Sequence, residues 1–232
     1  PLVGVDTVGA SEQPEWAGNK PNTYGGTDYF VDATGGDDSA SGTSESDAWQ
    51  TLGRVNETTF SPGDRILLKA GEEWHDEQLW PKGSGAAGQP IVIDAYGDED
   101  ARRPYIATNG NVPSPFTSGT NKNPQTVGLT GAVVLRNQQY FEIANLELSN
   151  DDDFDTDITS VIPRRVRDGV AISINADLFE DGDDDRIMDY FRISNLHVHN
   201  IDGPSSWQQI HYGGINFQVF GSQQFRQYEE GM

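Results

Sequence analysis

Two histidines alternate in the stretch HVHN, where one residue separates His197 from His199. Alternate side chains of a β-strand point to the same face, so both imidazoles are predicted to lie together on an outward face. An imidazole can act as an acid or a base near neutral pH. Such a face indicates a sugar-binding groove, in which rings stack on pyranoses and polar groups fix hydroxyls. An ordinary polar sheet face is the alternative interpretation.

Further groups that would line such a groove follow in the next stretch of sequence. Trp207, His211 and Tyr212 are the predicted sugar-contacting residues there, and Asp202 lies close by. The densest basic patch, RRVRD, adds three guanidinium groups that come from Arg164, Arg165 and Arg167. Guanidinium groups can bind the carboxylates of a uronate polymer. They could equally balance the charge of the acidic loop that precedes them.

In that acidic loop, SNDDDFDTD, aspartate stands at every second position, as Asp151, Asp153, Asp155 and Asp157. Carboxylate oxygens are the ligands that Ca²⁺ prefers. The spacing partly resembles an EF-hand loop, but position six is Thr156 and position twelve is Ile162, where that loop has Gly and Glu. A solvated acidic loop is the simpler interpretation. Calcium is thus the one cofactor that the sequence allows for, and no other is predicted.

Hydrolysis of a glycosidic bond needs two facing carboxyl groups, about 5 Å apart for retention or roughly 6.5–9.5 Å apart for inversion. The chain has 37 acidic residues, so the sequence assigns no pair. Position along the strands selects the candidates Glu142, Glu147, Asp168, Asp189 and Asp202. His197 and His199 complete the set of candidate catalytic residues.

A repeat predicts the elements that position these side chains. FEIANLELSN at 141–150 and FRISNLHVHN at 191–200 share Phe, Ile, Asn and Leu at an offset of fifty residues. Self-similarity at a fixed offset is typical of a solenoid, whose successive turns stack on one another. Asn145 and Asn195 are predicted at matching bends, because Asn tolerates left-handed backbone and its amide can bond to the Asn of the next turn.

The same register places outward residues about 4.8 Å from their counterparts in the next turn. Glu142 would neighbour Arg192, and Glu147 would neighbour His197, which are pairs of opposite polarity. The predicted strands are short apolar runs at 29–31, 65–69, 91–93, 132–135, 141–143, 146–148, 170–174, 191–193, 196–198 and 215–219. Ser46 is predicted to cap a short helix that starts at Asp47.

We therefore predict an all-β fold: a right-handed parallel β-helix, which is a single-stranded solenoid with three sheets and a short N-terminal capping helix. Residues 1–26 are predicted to form an extended lead-in. Residues 27–232 would be the N-terminal part of the β-helix domain, which we expect to continue beyond the given chain, since the sequence ends shortly after a strand without a capping element.

The formal net charge of −22 disfavours a nucleic-acid partner, because phosphate binding needs clustered Lys and Arg. No run of about 18 apolar residues occurs, so membrane insertion is not predicted. The chain has no cysteine, so redox compartment cannot be read from it. An acidic, lysine-poor surface suits an extracellular or high-salt setting. As a separate expectation, the protein is a monomer.

Several motifs give the chain a family resemblance. A strand at 29–31 is followed by a Gly/Asp/Ser-rich loop, then WQTL at 49–52, PGD at 62–64 and AG at 70–71. This order resembles the opening of bacterial secreted right-handed parallel β-helix proteins of the pectate-lyase-like superfamily. LWPKGSGAAGQPIVIDAYG and VLRNQQYFEIANLELSN continue the likeness. Within that superfamily, the chain looks most like β-helical glycoside hydrolases of the lacto-N-biosidase kind.

The resemblance implies an extracellular or cell-surface carbohydrate-active protein, with a glycoside hydrolase as the leading expectation. It does not map catalytic residues onto this chain. A Ca²⁺-dependent polysaccharide lyase acting on uronate polymers is the second expectation. A non-catalytic glycan-binding or surface-adhesion β-helix is the third, because proteins of one fold host different functions.

Overall fold

The computed structural model describes residues 15–110, 130–151, 167–175, 188–201 and 213–220. This part of the chain is mostly β-structure, with one short α-helix, α1 (Leu52–Glu57), and two single turns of 3-10 helix at Ala17–Asn19 and Glu45–Asp47. The strands are β1 (Asp28–Val31), β2 (Thr59–Phe60), β3 (Arg65–Lys69), β4 (Glu73–His75), β5 (Lys82–Gly83), β6 (Ile91–Tyr96), β7 (Tyr105–Ala107), β8 (Thr130–Arg136), β9 (Phe141–Ala144), β10 (Glu147–Asn150), β11 (Arg167–Asn175), β12 (Phe191–Ser194), β13 (His197–Ile201) and β14 (Gly213–Phe220).

All paired strands run parallel and form three larger sheets and one small sheet. The first sheet has the order β1-β3-β6-β9-β12, the second β4-β7-β10-β13 and the third β8-β11-β14, while β2 pairs with β5. From β6 onward, the chain visits the first, second and third sheets in the same order three times. The prediction of an all-β fold built from parallel strands is therefore confirmed.

The core lies on the side of the sheets to which alternate apolar residues point. In the second sheet, Trp74, Ile106 and Leu148 stack in register on β4, β7 and β10, and each is at most 1% exposed. Phe141 of the first sheet and Val133 of the third sheet belong to the same apolar cluster. Burying each of these side chains contributes roughly 1.5–3 kcal/mol to folding.

The predicted fifty-residue register is confirmed. Glu142 pairs with Arg192 on β9 and β12, and Glu147 pairs with His197 on β10 and β13. The register extends one turn earlier along the chain, where Ile91 of β6 pairs with Phe141. The fifty-residue sequence repeat therefore consists of residues at equivalent positions on neighbouring strands of one sheet.

The asparagine bends are confirmed as well. Asn145 and Asn195 have positive φ angles of 59° and 49°, in the left-handed region. The amide Nδ2 of Asn195 donates to Oδ1 of Asn145 at 2.6 Å, and Nδ2 of Asn145 donates to a carboxylate oxygen of Asp94 at 2.6 Å. Asp94 is buried, which raises its pKa, while the bond from Asn145 acts in the opposite direction.

The helix prediction needs a correction in its position. The segment that begins near Ser46 is one 3-10 turn, Glu45–Asp47, without a side-chain cap. The α-helix starts later, because the Thr51 hydroxyl accepts a hydrogen bond from the Arg54 amide and so supplies the cap. Leu52 and Val55 then fall on the buried face of α1.

We predict that Thr51→Ala lowers the free energy of unfolding by about 1 kcal/mol, the usual cost of losing such a cap. The hydroxyl also donates to Asp38 Oδ2 at 2.7 Å, so its loss removes two hydrogen bonds. Urea unfolding followed by circular dichroism measures the change. Thr51→Ser, which keeps the hydroxyl, is the matched control, and equal stability of Thr51→Ala and wild type would contradict the assignment of the cap.

The first described residues lie against the first sheet. Trp16 is buried, and the Ala17 amide donates to Asp94 Oδ2 at 3.2 Å. Residues 1–14 of the predicted lead-in lie outside the described ranges. Across the described ranges, no helix combines the length and the apolar character that crossing a bilayer requires.

Candidate functional site

The most chemically varied surface of the described residues is the outward side of the second sheet, which we call the outer face. One row across it contains Glu73, Tyr105, Glu147 and His197, on β4, β7, β10 and β13 respectively. The next row contains His75, Ser149 and His199, with Ala107 between the first two. These rows arise because residues that alternate with the core positions must point away from it.

A single guanidinium group joins two carboxylates of the outer face. Arg102 donates from Nε and Nη2 to the two carboxylate oxygens of Glu147, at 2.8 Å each. Its third nitrogen, Nη1, donates to Glu73 Oε1. Paired, fork-shaped hydrogen bonds of this kind are among the strongest that a carboxylate accepts. Arg102 therefore fixes the positions of both acidic side chains.

Both histidines predicted from the sequence lie beside Glu147. His199 Nε2 is 2.9 Å from Glu147 Oε1, and His197 Nδ1 is 3.8 Å from the same oxygen. The two imidazole rings have their centroids 4.6 Å apart. The carboxylate, Nδ1 or Nε2 atoms of these three residues all lie within 4.8 Å of one another, so they could hold a metal ion.

The electrostatics of the outer face keep Glu147 ionised. Hydrogen bonds from Arg102 lower the pKa of Glu147 to about 2, and His199 and the nearby His197 act in the same direction against the effect of burial. The interaction with Glu147 in turn raises the pKa of Arg102. The pair is consequently a fixed charge pair and does not exchange protons near neutral pH.

Tyr105 packs in the middle of this cluster. Its ring stacks on His199 with the centroids 5.9 Å apart, and the Arg102 guanidinium lies 4.2 Å from the centre of the ring. The phenol oxygen is 2.6 Å from Ser149 Oγ. Tyr105 therefore holds both the imidazole and the guanidinium in place.

Asp168, another predicted candidate, lies in a different environment. It lies two residues before the core residue Val170 on β11, so the two side chains point to the same side of the sheet. The Asp168 side chain has no exposed surface. Its Oδ1 accepts hydrogen bonds from the Gly213 amide and from Asn216 Nδ2, whereas Oδ2 has no hydrogen-bond partner among the described residues. Burial raises the pKa of Asp168 to about 7. A carboxyl group in this state carries a proton well above the pH range usual for Asp.

The remaining candidates are distributed widely. Glu142, on β9 of the first sheet, accepts a hydrogen bond from the Tyr190 hydroxyl, and Asp189 is exposed. Asp151 is exposed at the end of β10, and Arg167 begins β11. The other candidates lie outside the described residues: Asp153, Asp155, Asp157, Arg164, Arg165, Asp202, Trp207, His211 and Tyr212.

The sequence pointed to Glu147, His197 and His199 but missed their partners Arg102, Glu73 and Tyr105. The signal for the missed residues is weak, because Arg102 lies in the turn before β7 and belongs to no repeat. An unusual pair of basic residues in the stretch DEDARRPY was the one available indication.

Comparison with solved structures defines the class of protein to which this chain is similar. Crystal structures of the GH136 lacto-N-biosidase from Eubacterium ramulus, native and selenomethionine-substituted, match 84% of this chain with a TM-score of 0.65 and 27% sequence identity. The match covers 30% of that chain. GH136 lacto-N-biosidase is a glycoside hydrolase.

Among curated proteins, the chain is similar to the lacto-N-biosidase of Bifidobacterium longum subsp. longum. The two are 34% identical over an alignment of 221 residues, which covers 84% of this chain. The chain spans only 13% of the length of that protein. No family model matches the sequence. The homologues found are thus lacto-N-biosidases, in agreement with the resemblance seen in the sequence motifs.

Proposed function

We propose that this protein is a glycoside hydrolase that cleaves oligosaccharides. The observation that carries the proposal is the 34% identity to a lacto-N-biosidase across 84% of the chain. The name of that relative suggests lacto-N-biose as the sugar unit to test first. The expected alternative activities, uronate-polymer lyase and non-catalytic glycan binder, have no comparable support from a relative.

The proposed scaffold is a right-handed parallel β-helix. The parallel pairing and the thrice-repeated order of the three sheets support it, because each passage through the sheets then forms one turn of a solenoid. The handedness follows from the general preference of crossover connections between parallel strands, which are right-handed in about 98% of cases.

We propose that sugar contacts the outer face. Its most accessible groups are the side chains of His197, His75 and Arg102, which are 58%, 54% and 44% exposed. Together they offer ring faces and hydrogen-bond donors, which are the groups that bind pyranose rings and hydroxyls. A fixed carboxylate, Glu147, can accept hydrogen bonds from hydroxyl groups beside them.

We propose hydrolysis by two carboxyl groups, since both stereochemical routes normally use such a pair. The pKa values of Glu147 and Asp168 are shifted in the opposite directions that such a pair requires, lowered for Glu147 and raised for Asp168. They lie on different sheets, however, and the Asp168 side chain points to the core side of its sheet while that of Glu147 faces outward. We therefore do not pair them across one glycosidic bond.

The activity can be tested by incubating the purified protein with a nitrophenyl lacto-N-bioside and with neutral and uronate-containing oligosaccharides. The expected result is a set of new reducing ends without an unsaturated product. Products that absorb in the ultraviolet, formed only with Ca²⁺, would instead identify a lyase. Saturable binding without any product would identify a glycan-binding module, and either outcome contradicts the proposal.

We place the enzyme outside the cell, on the strength of its acidic, lysine-poor composition and of the family resemblance. Cells of the native host can be fractionated and each fraction probed with an antibody against the protein to check this proposal. Recovery from the medium or the cell surface is expected, and recovery from the cytosolic fraction alone would contradict it.

A further inference from the structure

We propose that Glu147, His197 and His199 form a binding site for one divalent transition-metal ion, for which Zn²⁺ is the best match. Among the described residues, these three bring together one carboxylate and two imidazoles whose ligand atoms all lie within 4.8 Å. The inference does not depend on the proposed hydrolase activity, because metal binding is measured without substrate.

The distances between the ligand atoms suit a tetrahedral ion. Zn²⁺ binds nitrogen and oxygen at about 2.0–2.2 Å, so two ligands of a tetrahedral site stand roughly 3.3 Å apart. Glu147 Oε1 lies 2.9 Å from His199 Nε2 and 3.8 Å from His197 Nδ1, values on either side of that separation. The His197 side chain is 58% exposed, so it can rotate to complete the geometry.

The chemistry of the ligands selects the kind of metal. Imidazole suits zinc, copper, nickel and iron, whereas Ca²⁺ and Mg²⁺ are bound by oxygen ligands. Two histidines and one glutamate are also the ligand set of a known class of zinc sites that keeps a fourth position open for water. The outer face is accessible to solvent, so a water molecule can occupy that position.

Neighbouring side chains orient two of the three ligands. Arg102 Nε donates to Glu147 Oε2 and Nη2 donates to Oε1, and Oε1 is also the oxygen that faces the two imidazoles. Tyr105 stacks on the ring of His199 with an angle of 18° between the planes. Support of this kind, in which ligating carboxylates are themselves hydrogen-bonded, is typical of metal sites. A bound metal would take over from Arg102 Nη2 at Oε1.

The charge balance of the outer face also favours a cation. Glu147 and Glu73 share the single guanidinium of Arg102, so two carboxylates face one guanidinium in this cluster. The net charge of −22 raises the local concentration of cations near the protein. A metal ion therefore adds charge that the cluster does not already supply.

Calorimetric titration of chelator-treated protein with ZnCl₂ tests the proposal. Wild type is expected to bind one Zn²⁺ tightly, and His197→Gln and His199→Gln are each expected to weaken that binding at least about tenfold. His75→Gln is the matched control, because His75 lies on the same face but contacts Glu73 and not Glu147. Its affinity for Zn²⁺ should equal that of wild type.

Two further measurements separate a built site from general attraction to acidic side chains. Excess Ca²⁺ should leave the Zn²⁺ affinity unchanged, and Co²⁺ should give the visible absorption of a tetrahedral ion in wild type but not in His199→Gln. The metal-free variants must unfold at the same midpoint as wild type. Equal Zn²⁺ affinity in wild type and all three variants, or the absence of binding, would overturn the proposal.

Discussion

The free energy of unfolding of the wild type is expected to fall by about 4 kcal/mol between about pH 4 and about pH 8, and Asp168→Asn is expected to remove this fall. The reason is the fully buried carboxyl, whose pKa rises from 3.8 to about 7 on folding, chiefly through desolvation. Among the described residues, it is hydrogen-bonded only through Oδ1, to the Gly213 amide and Asn216 Nδ2, and neither of these groups carries a positive charge.

The direction of the effect follows from proton linkage. Because the pKa is higher in the folded protein than in the unfolded chain, the folded state holds the proton to a higher pH. The resulting stability is fully present below about pH 3.8 and is lost as the pH rises through about 7. An amide in the same place cannot ionise, so Asp168→Asn removes this dependence.

Urea unfolding at a series of pH values measures the effect as the difference between variant and wild type. Asp189→Asn is the matched control, because it removes one exposed carboxylate with the same change in net charge. Its pH dependence should follow that of wild type. A wild type whose stability changes with pH no more than that of Asp168→Asn would show that the buried carboxyl does not titrate as proposed.

Replacing Asn145 is the second substitution with a large expected effect. Asn145→Gly should lower the free energy of unfolding by roughly 2–3 kcal/mol, because it removes the hydrogen bond to the buried carboxylate of Asp94. Asn145→Ala should cost about 1 kcal/mol more, since its φ of 59° is unfavourable for alanine. Unfolding by urea near neutral pH measures both changes.

Asn195 provides the matched control for this substitution. It has the same left-handed backbone and donates to Asn145, but it does not contact Asp94 and is only partly buried. Asn195→Gly removes the bond to Asn145 and the bond that Asn195 Oδ1 accepts from Arg103 Nη2 at 2.7 Å, so we expect it to cost about 1–2 kcal/mol, less than Asn145→Gly. If Asn145→Gly and Asn195→Gly were equally stable, the contact with Asp94 would have no special importance.

The sequence predicted the register of the last two turns because their lengths are equal. Glu147 and His197 are fifty residues apart, so the offset is visible in the letters themselves. Earlier neighbours on the outer face do not share that spacing, since 32 residues separate Glu73 from Tyr105 and 42 separate Tyr105 from Glu147. A search at a fixed offset therefore cannot align β4 and β7 with β10 and β13.

Part of the outer-face cluster was predicted, again because of the fifty-residue repeat. Alternation on β13 identified His197 and His199, and the repeat placed Glu147 beside them. Arg102 lies in a turn whose length the repeat does not determine, so nothing in the sequence indicated that its guanidinium joins Glu147 and Glu73. The hydrogen-bond partners of Asp168 were also unpredictable, because Gly213 and Asn216, which bind its carboxyl group, are more than forty residues away along the chain.

The start of α1 illustrates a different limit. Ser46 and Thr51 are both residue types that cap helices, and the local sequence did not separate them. Long-range contacts decide between them, since the Thr51 amide and hydroxyl both bond to Asp38, and the Leu52 amide donates to Glu77, which follows β4 in the sequence. Neither partner can be identified from propensity alone.

Hydrolysis of a glycosidic bond is the central claim, and mass spectrometry of the products formed in water enriched in heavy oxygen tests it most directly. If the protein is a glycoside hydrolase, the sugar released from the oligosaccharide will contain one heavy oxygen at its reducing end, beyond the level in free sugar incubated without protein. A sugar that is unsaturated and lacks heavy oxygen, or an oligosaccharide that is recovered intact, would contradict the claim.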